Sequence, residues 1–302
     1  MKDKRSRVVC FGEILWDVFP SGRTAGGAPM NVALNLKKLG IDVKLISRIG
    51  IEALGEELYA CLKSNGADIS LIQQDKHHPT GTAEVKLDDF KNAKYDIAFP
   101  AAWDFIEYNS EIDRAIENAN VVFGSLACRH ESSHKTLIKI MEKAALKIFD
   151  VNLRSPFYNR DLIERLLHAA DIVKLNDEEL KNIGDWTDEN DPDAACKKIM
   201  SSFRVEQLIL TSGEHGAKVF YKDKIYACRG FKAEAVDTVG SGDAFLAAFL
   251  AEQMKGKDIA ECLEFACAAG SYAVTQKGAN PPYEEKHIRD FLAKQNSFTT
   301  DN

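Results

Sequence analysis

"NVALNLKKLGIDVKLISRIG", residues 31–50, changes periodicity halfway along. In the first half Val32, Leu36 and Leu39 fall on one face of a helix, and Gly40 supplies its stop. In the second half "VKLISRIG" is a short run rich in Val, Ile and Leu, as a strand buried on both faces requires. Five more such runs recur, "RVVCFG", "VVFGSLA", "LKIFDVN", "DIVKLN" and "QLILTSG", and helical segments such as "SHKTLIKIMEKAAL" separate most of them. Alternating strand and helix predicts an α/β fold with a mainly parallel sheet.

The chain has 302 residues, 45% hydrophobic and 28% charged, enough for one large core with a small appendage. Its 39 basic and 46 acidic residues give a net charge of −7 with no block of like charge, which argues against nucleic acid or an anionic membrane as partner. A small-molecule partner is expected. Seven cysteines, odd in number and without a CxxC pair, point to reduced thiols in a cytosolic setting rather than to disulfides or zinc. In "MKDKRSRVVCFGE" the apolar run is broken by Gly12 and Glu13, too short for a signal peptide or a membrane span. These features predict a cytoplasmic protein.

One segment breaks the strand–helix rhythm. In "TAEVKLDDFKNAKYDIAF", residues 82–99, Val85 and Leu87 alternate with Glu84, Lys86 and Asp88, and Tyr95, Ile97 and Phe99 alternate with Lys94 and Asp96. The pattern predicts a hairpin with one apolar face. Such a hairpin must cover a ligand cleft or the matching face of a second subunit. A two-stranded ribbon is marginal by itself, so a homodimer paired through this lid is expected. No internal repeat or low-complexity linker divides residues 1–302, which read as a single domain with its lid.

Ligands of open α/β sheets sit beyond the carboxyl ends of the strands. Just past the apolar runs lie Asn152 and Arg154 in "FDVNLRSP", Asn176 and Glu179 in "VKLNDEEL", and Thr211, Gly213 and Gly216 in "LTSGEHGA". Each has a structural alternative. Asn176 with Glu179 three residues on is also a capping box, "TSGEHG" is also a hairpin turn, and Arg154 before Pro156 is also a solvated loop residue.

Two nucleotide motifs fail. "GIEALGEE" has Walker A glycine spacing but Glu56 where a lysine must reach the phosphates, and "GSGDAF" has Phe245 in place of the third Rossmann glycine. What remains of "VGSGDAFLAAFLAEQMKG" is a buried helix from Phe245 to Met254, with a Gly240–Gly242 loop at its N-terminus and Gly256 as its stop. Loop N–H groups and the helix dipole make a pocket for anionic oxygens, and the same field is expected to hold Asp243 ionised. Next to a phosphoryl group in transfer, Asp243 can take the proton of an attacking hydroxyl. In isolation it reads more readily as an N-cap.

A second glycine motif upstream, "GGAPMNVALNLKKLG" at residues 26–40, again sets glycines before a helix with Asn31 in its first turn, and follows "GEILWDVFP" carrying Asp17. Together the motifs resemble the PfkB, or ribokinase-like, carbohydrate kinase family: GG-x-x-x-N, then N-x-x-E, T-x-G-x-x-G and D-T-x-G-x-G-D, in order over residues 7–293. The resemblance implies a three-layer α/β/α fold with a mainly parallel sheet and a small β-sheet lid from segments near 14–24 and 80–105. It implies an ATP-dependent sugar kinase that phosphorylates a primary hydroxyl.

Carried over residue by residue, the resemblance makes Asp243 the catalytic base and Gly240, Ser241 and Gly242 the anion hole, with Ser241 a departure from the usual alanine. Asn176 and Glu179 match the element that organises Mg²⁺ and phosphate through water, and Thr211, Gly213 and Gly216 the nucleotide loop. "FACAAGSYAVTQKGA", with Cys267, is similar to the adenine wall. Asp17, Gly26, Gly27 and Asn31 match sugar-binding positions, and Asp237, Val239 and Gly278 a monovalent-cation (K⁺) site. "GEILWDVFP", "YDIAFPAAWDFI" and "DVNLRSPFY" are similar to bacterial fructokinases, which implies D-fructose as substrate and fructose 6-phosphate as product. Trp103 is then either a sugar contact or a lid-packing aromatic, and Arg154 a substrate contact. A 2-keto-3-deoxygluconate kinase and a ribokinase are the alternatives within the family. A non-catalytic sugar sensor and a nicotinamide dehydrogenase are those outside it.

Overall fold

The computed structural model describes residues 7–87, 93–184, 186 and 189–297. Along the chain its strands are β1 (Val8–Phe11), β2 (Leu15–Phe19), β3 (Gly22–Gly26), β4 (Val43–Gly50), β5 (Ile72–Asp75), β6 (Gly81–Leu87), β7 (Ala93–Ile97), β8 (Asn120–Gly124), β9 (Leu146–Asp150), β10 (Ile172–Asn176), β11 (Gln207–Thr211), β12 (Ala217–Tyr221) and β13 (Lys224–Cys228). The helices are α1 (Ala28–Lys38), α2 (Ala53–Ser64), α3 (Ser110–Ile116), α4 (Glu131–Met141), α5 (Arg160–Ala169), α6 (Asp177–Gly184), α7 (Pro192–Phe203), α8 (Ser241–Met254), α9 (Ile259–Ala273) and α10 (Glu285–Ser297).

The apolar runs are strands with two buried faces. Val8 and Cys10 of β1 enter one core and Val9 and Phe11 the other; Ile148 and Phe149, Ile172 and Val173, and Ile209 and Leu210 divide in the same way. Helices α1, α2, α8, α9 and α10 cover the first face, and α3 to α7 the second. Burying each large apolar side chain contributes ~1.5–3 kcal/mol, which a strand exposed on one face would partly forgo. The result is a three-layer α/β/α sandwich around a nine-stranded sheet ordered β13-β12-β11-β10-β9-β8-β1-β4-β5. Pairing is parallel from β11 through to β5, whereas β12 and β13 are antiparallel. The chain leaves β1 for β4 on one side and β8 on the other, so the crevice opens at the carboxyl end of β1. No helix among the described residues is long and apolar enough to cross a membrane.

Two expectations change. The helix read in "SHKTLIKIMEKAAL" stops at Met141, because Leu146 is drawn into β9 opposite Asn120 and Ala145 N donates to Ala119 O at 2.8 Å. The helix after the glycine loop begins at Ser241 rather than Phe245.

The lid is a separate four-stranded sheet ordered β3-β2-β6-β7. β6 and β7 form the expected hairpin, with Ala83 opposite Ile97, Val85 opposite Tyr95 and Leu87 opposite Ala93. The side chains of Val85, Leu87 and Tyr95 lie outside the described residues. Ala83 and Ile97 are buried against Leu15, Ala101, Trp103 and Leu126, so this chain itself covers the base of the apolar face. Phe99 lies beyond β7, 52% exposed, and does not continue the strand's alternation. Its ring and those of Phe157 and Trp103 surround the Arg129 guanidinium, which sits 3.8 Å from the Trp103 ring centre.

Arg129 fastens this arrangement. Its Nε and Nη2 donate to the two oxygens of Asp104 at 2.7 and 2.8 Å, and Nη2 also donates to Ala98 O at 2.6 Å. The pair is 1% and 0% exposed. Removing one member strands the other charge in the interior, which costs about 3–5 kcal/mol. Asp104→Ala is therefore expected to lower the calorimetric melting temperature strongly, whereas Asp113→Ala, which breaks a surface pair with Lys143, should hardly move it.

Candidate active site

Two glycine-led helices meet at the crevice. The cap of α1 is Gly27 at φ 119°, where a Cβ would stand 2.4 Å from Glu13 O. The cap of α8 is Gly240 at φ 78°, where a Cβ would stand 2.7 Å from Ala279 O. Only glycine combines these torsions with such close backbone approach. Ala244 N donates to Gly240 O at 2.9 Å and Ser241 N to Thr238 O at 3.3 Å. The Gly242 and Asp243 N–H groups, with no intrahelical acceptor, stand at the helix mouth where an anion would be received.

Asp243 is thus the third residue of α8 and not its cap, which removes the capping alternative. Its Oδ2 accepts from Asn31 Nδ2 of α1 at 2.7 Å. Asn31 Oδ1 in turn accepts from Asn280 Nδ2. Burial, reinforced by the Asp150 charge, pushes the Asp243 carboxyl up to about 6 against the opposing pull of Asn31, Lys174 and Arg154, so the group is more basic than a solvated aspartate and still mostly ionised at neutral pH.

Four residues of this site escaped the sequence reading. Lys174, in the middle of β10, is buried and donates to both oxygens of Asp150, at 2.9 and 3.1 Å. A Cβ on Gly242 would lie 3.4 Å from Lys174 Nζ, so the ammonium adjoins the helix mouth. Burial pulls this ammonium down, but Asp150, Glu179 and Asp243 outweigh it and the net shift is upward. A charge inside the apolar run "DIVKLN" was the available signal, since a lysine there must find a buried partner. Glu13, just past β1, is 2% exposed; Oε1 accepts from Ala28 N at 3.3 Å, and burial lifts the carboxyl to about 7. The fourth is Asn280, from the segment that packs on Gly240.

On the lid side, Asp17 of β2 lies against Gly26 of β3, where a Cβ would fall 2.1 Å from Oδ2. Burial pushes the Asp17 carboxyl to about 6, and the Arg154 charge opposes that shift. Arg154 acts likewise on Glu13 and Asp243. It is exposed at the rim of the crevice and ties the lid and main-sheet carboxylates into one field. Trp103 is fully buried. The structure therefore gives it the packing role beneath the lid, not a surface toward a ligand.

On the other side, Asn176 and Glu179 do form a capping box: Asn176 Oδ1 accepts from Glu179 N at 2.8 Å and Glu179 Oε2 from Asn176 N at 2.9 Å. Glu179 Oε1 also accepts from Leu153 N at 2.9 Å. The same carboxylate is buried beside Lys174 and Asp150 and raised by its burial, so cap and site position coincide. "TSGEHG" is the turn between β11 and β12, with Thr211 Oγ1 donating to Leu175 O at 3.4 Å. Gly213 has φ 52° and Gly216 φ 99°, and a Cβ on Gly216 would sit 2.1 Å from Cys228 O. Cys267 of α9 is buried behind this turn, against Ala217. Asp237 binds two loops together, accepting from Val239 N and Gly278 N at 3.0 Å each.

No group of three or more metal-ligating side chains gathers among the described residues. A Mg²⁺ ion fits this crevice only if phosphates and water fill most of its shell, which is its ordinary mode at nucleotides. Glu179, with each oxygen already bonded to a backbone N–H, suits an outer-sphere role.

Profile comparison matches residues 6–286 to the pfkB family of carbohydrate kinases, and the chain belongs to that family. It is 30% identical over 324 residues to Fructokinase-2 of Zea mays, an alignment covering 96% of this chain and 95% of that one. Fructokinase from Xylella fastidiosa, solved with bound ATP, superposes with a TM-score of 0.87 at 23% identity, covering 98% of this chain and 100% of that one. A double mutant of Vibrio cholerae fructokinase, solved with fructose, ADP and potassium ion, superposes with a TM-score of 0.84 at 23% identity over 97% and 100% of the two chains. These superpositions establish the three-layer fold with its lid.

The raised Asp243 carboxyl fixes two signs. A general base must be ionised, so kcat/KM for phosphoryl transfer should fall about tenfold per pH unit below about 6 and level off above it. Folded-state protonation tighter than in the unfolded chain means that this group costs stability as pH rises past its ordinary value of 3.8, and the cost is complete once pH exceeds about 6. Asp243→Asn is accordingly expected to lose about 10²–10⁴ in kcat while melting no lower than wild type at pH 7.5. Survival of kcat within a few fold would place the base elsewhere.

Proposed function

We propose that the chain is an ATP-dependent fructokinase that transfers the γ-phosphoryl group of ATP to the 6-hydroxyl of D-fructose. The observation that carries this reading is Asp243 at the mouth of α8, bonded to Asn31 and beside Lys174 of β10, the strand that pairs with the Thr211-bearing β11. Fructose lies under the lid, with Asp17 and Asn31 receiving its ring hydroxyls, and ATP lies over β10 to β13. Asp243 takes the proton of the 6-hydroxyl as its oxygen attacks the γ-phosphorus, and the bond to the β,γ-bridging oxygen breaks. The Gly242 and Asp243 N–H groups and the Lys174 ammonium face the charge that develops on the phosphoryl oxygens. Glu179 and Asn176 would hold Mg²⁺ through water, and the ion would supply charge neutralisation to the phosphates. Asp237 fixes the Val239 and Gly278 segments together, and their backbone carbonyls would hold K⁺. The choice of fructose follows the names of the relatives and the Asp17-bearing lid. A homodimer through the outer part of the lid completes the reading, supported by the exposed Phe99 ring and the single-faced register of β6 and β7.

Three measurements test it. Product NMR and kcat/KM across fructose, ribose and 2-keto-3-deoxygluconate should show a preference for fructose with phosphate on C6; preference for either other sugar, or phosphate on C1, overturns the assignment. Asp17→Ala should raise KM for fructose by about 5–150-fold while KM for ATP holds, since each sugar hydroxyl left without its acceptor costs about 1–3 kcal/mol. Light scattering at micromolar concentration should report a dimer, and a monomer would remove the lid-pairing part.

A further inference from the structure

Asn31 stands between two partners that its amide can serve only one way round. Its Nδ2 donates to Asp243 Oδ2 at 2.7 Å, and its Oδ1 accepts from Nδ2 of Asn280, 249 positions further along the chain. The two ends of an amide have nearly the same shape, so packing does not tell them apart and hydrogen-bond polarity must. Reversed, Asn31 Oδ1 would face the ionised carboxylate, acceptor against acceptor, and its Nδ2 would face Asn280 Nδ2, donor against donor. We propose that Asn280 is a positioning residue for the phosphoryl-transfer step: it locks the Asn31 amide with its donor toward Asp243, and so leaves Asp243 Oδ1 as the oxygen that takes the substrate proton. This role rests on the reading of Asp243 as the base.

Asn280 is held firmly enough to impose that choice. Before it, Gly278 N donates to Asp237 Oδ2 at 3.0 Å, and Ala279 lies so near the cap of α8 that a Cβ on Gly240 would fall 2.7 Å from its carbonyl oxygen. After it, Lys38 Nζ of α1 donates to Pro281 O at 2.9 Å, and the Tyr283 hydroxyl donates to Asn35 Oδ1 at 2.7 Å. The buried Asn35 closes the circuit, donating from Nδ2 to Asn31 O at 2.9 Å. Residues 278–283 are thereby pinned to α8 at one end and to α1 at the other. Those are the two helices whose side chains Asn280 aligns.

Stability does not explain the side chain. Asn280 Oδ1 is buried with no hydrogen-bond partner among the described residues, and an unpaired buried acceptor is less favourable than an apolar group of the same shape. What the residue supplies is a donor at one point. Burial lifts the Asp243 carboxyl, and the Asn31 bond is among the influences that oppose the lift, because a hydrogen bond to the ionised form favours that form. The other groups whose charges act on Asp243 are Asp150 of β9, Lys174 of β10, Arg154, Glu13 and Cys10 of β1. A substitution at position 280 leaves all five in place.

Two variants of the full-length protein test the role. Asn280→Ala removes the donor without adding charge, whereas the nearly isosteric Asn280→Asp puts an acceptor there and turns the Asn31 Nδ2 away from Asp243. Carbon-13 NMR of protein labelled at the aspartate carboxyls follows Asp243, whose resonance is the one missing from Asp243→Asn. The titration midpoint and the acid limb of kcat/KM for the sugar should rise together, by about half a pH unit or more in Asn280→Ala and about one or more in Asn280→Asp. At about pH 6.5 kcat should fall roughly three- to tenfold, less at higher pH, while KM for ATP stays within about twofold. An unmoved midpoint in Asn280→Ala, with kcat intact or lowered equally at every pH, overturns the proposal; should that variant not fold, the same result in Asn280→Asp does so. Survival of kcat within a few fold in Asp243→Asn overturns the base assignment instead, and shows in a variant that leaves Asn280 untouched.

Discussion

The hydrogen bond from Asn31 to Asp243 joins residues 212 positions apart and is the contact around which the site is organised. It exists because two helices begin at the same place, and they can do so because Gly27 and Gly240 permit backbone approaches that a Cβ would forbid. Each helix brings the positive end of its dipole to the crevice. One end carries Asn31, the other Asp243, which is the base in the proposed reaction. Neither motif is complete without the other, so the catalytic arrangement forms only when the first and last parts of the chain have packed.

That convergence sets an electrostatic problem. Glu13, Asp150, Glu179 and Asp243 are brought into one largely dry region, and desolvation raises the carboxyls of Glu13, Glu179 and Asp243. Two cations answer them in different ways. Lys174 is buried and fixed on Asp150 by two hydrogen bonds, so its charge is a permanent part of the site. Arg154 is exposed at the rim, acts on Asp17, Glu13 and Asp243 at longer range, and can respond to a substrate. The balance leaves Asp243 at about 6, where the carboxylate predominates at neutral pH yet is more basic than a solvated aspartate. Proton abstraction from an alcohol is helped by that added basicity. It costs stability, which the two cores bear.

Much of this was legible in the sequence because it depends on chain-local rules. Buried parallel strands have to be apolar on both faces, and all six runs read as strands are strands. A cap at positive φ pressed against another stretch of backbone has to be glycine, as at Gly27 and Gly240, which made 26–27 and 240–242 conspicuous. Lys174, Asp150, Glu13 and Asn280 were hidden for the converse reason: each is defined by neighbours that the sequence does not place beside it. The boundary errors have the same origin. Leu146 fits the helical spacing of α4 but is claimed by pairing with β8, and tertiary pairing outweighs a single position of periodicity. Trp103 resisted assignment for want of one fact, whether its ring faces the cleft, and only the packing of Leu15, Ala83 and Ile97 around it decides that.

In the proposed reaction the lid and the main sheet contribute opposite halves of the chemistry, which bears on how water is kept out. Asp17 belongs to the four-stranded lid sheet and Asp243 to the sandwich, and a sugar held by both would bridge the two layers. The base of the lid is fastened by Arg129 and Asp104, a desolvated pair inside an aromatic enclosure, so closure has to occur through the strands beyond that clasp rather than by swinging the whole sheet. Asp17 lies on β2 and pairs in register with Thr24 of β3, two residues before Gly26, which packs on its carboxylate. Sugar hydroxyls donating to Asp17 would relieve the burial that now lifts its carboxyl to about 6. Closure then gains from the substrate itself, because the hydroxyls satisfy the lid carboxylate in the same step that brings the primary alcohol to Asp243. Water admitted without sugar gives no such gain.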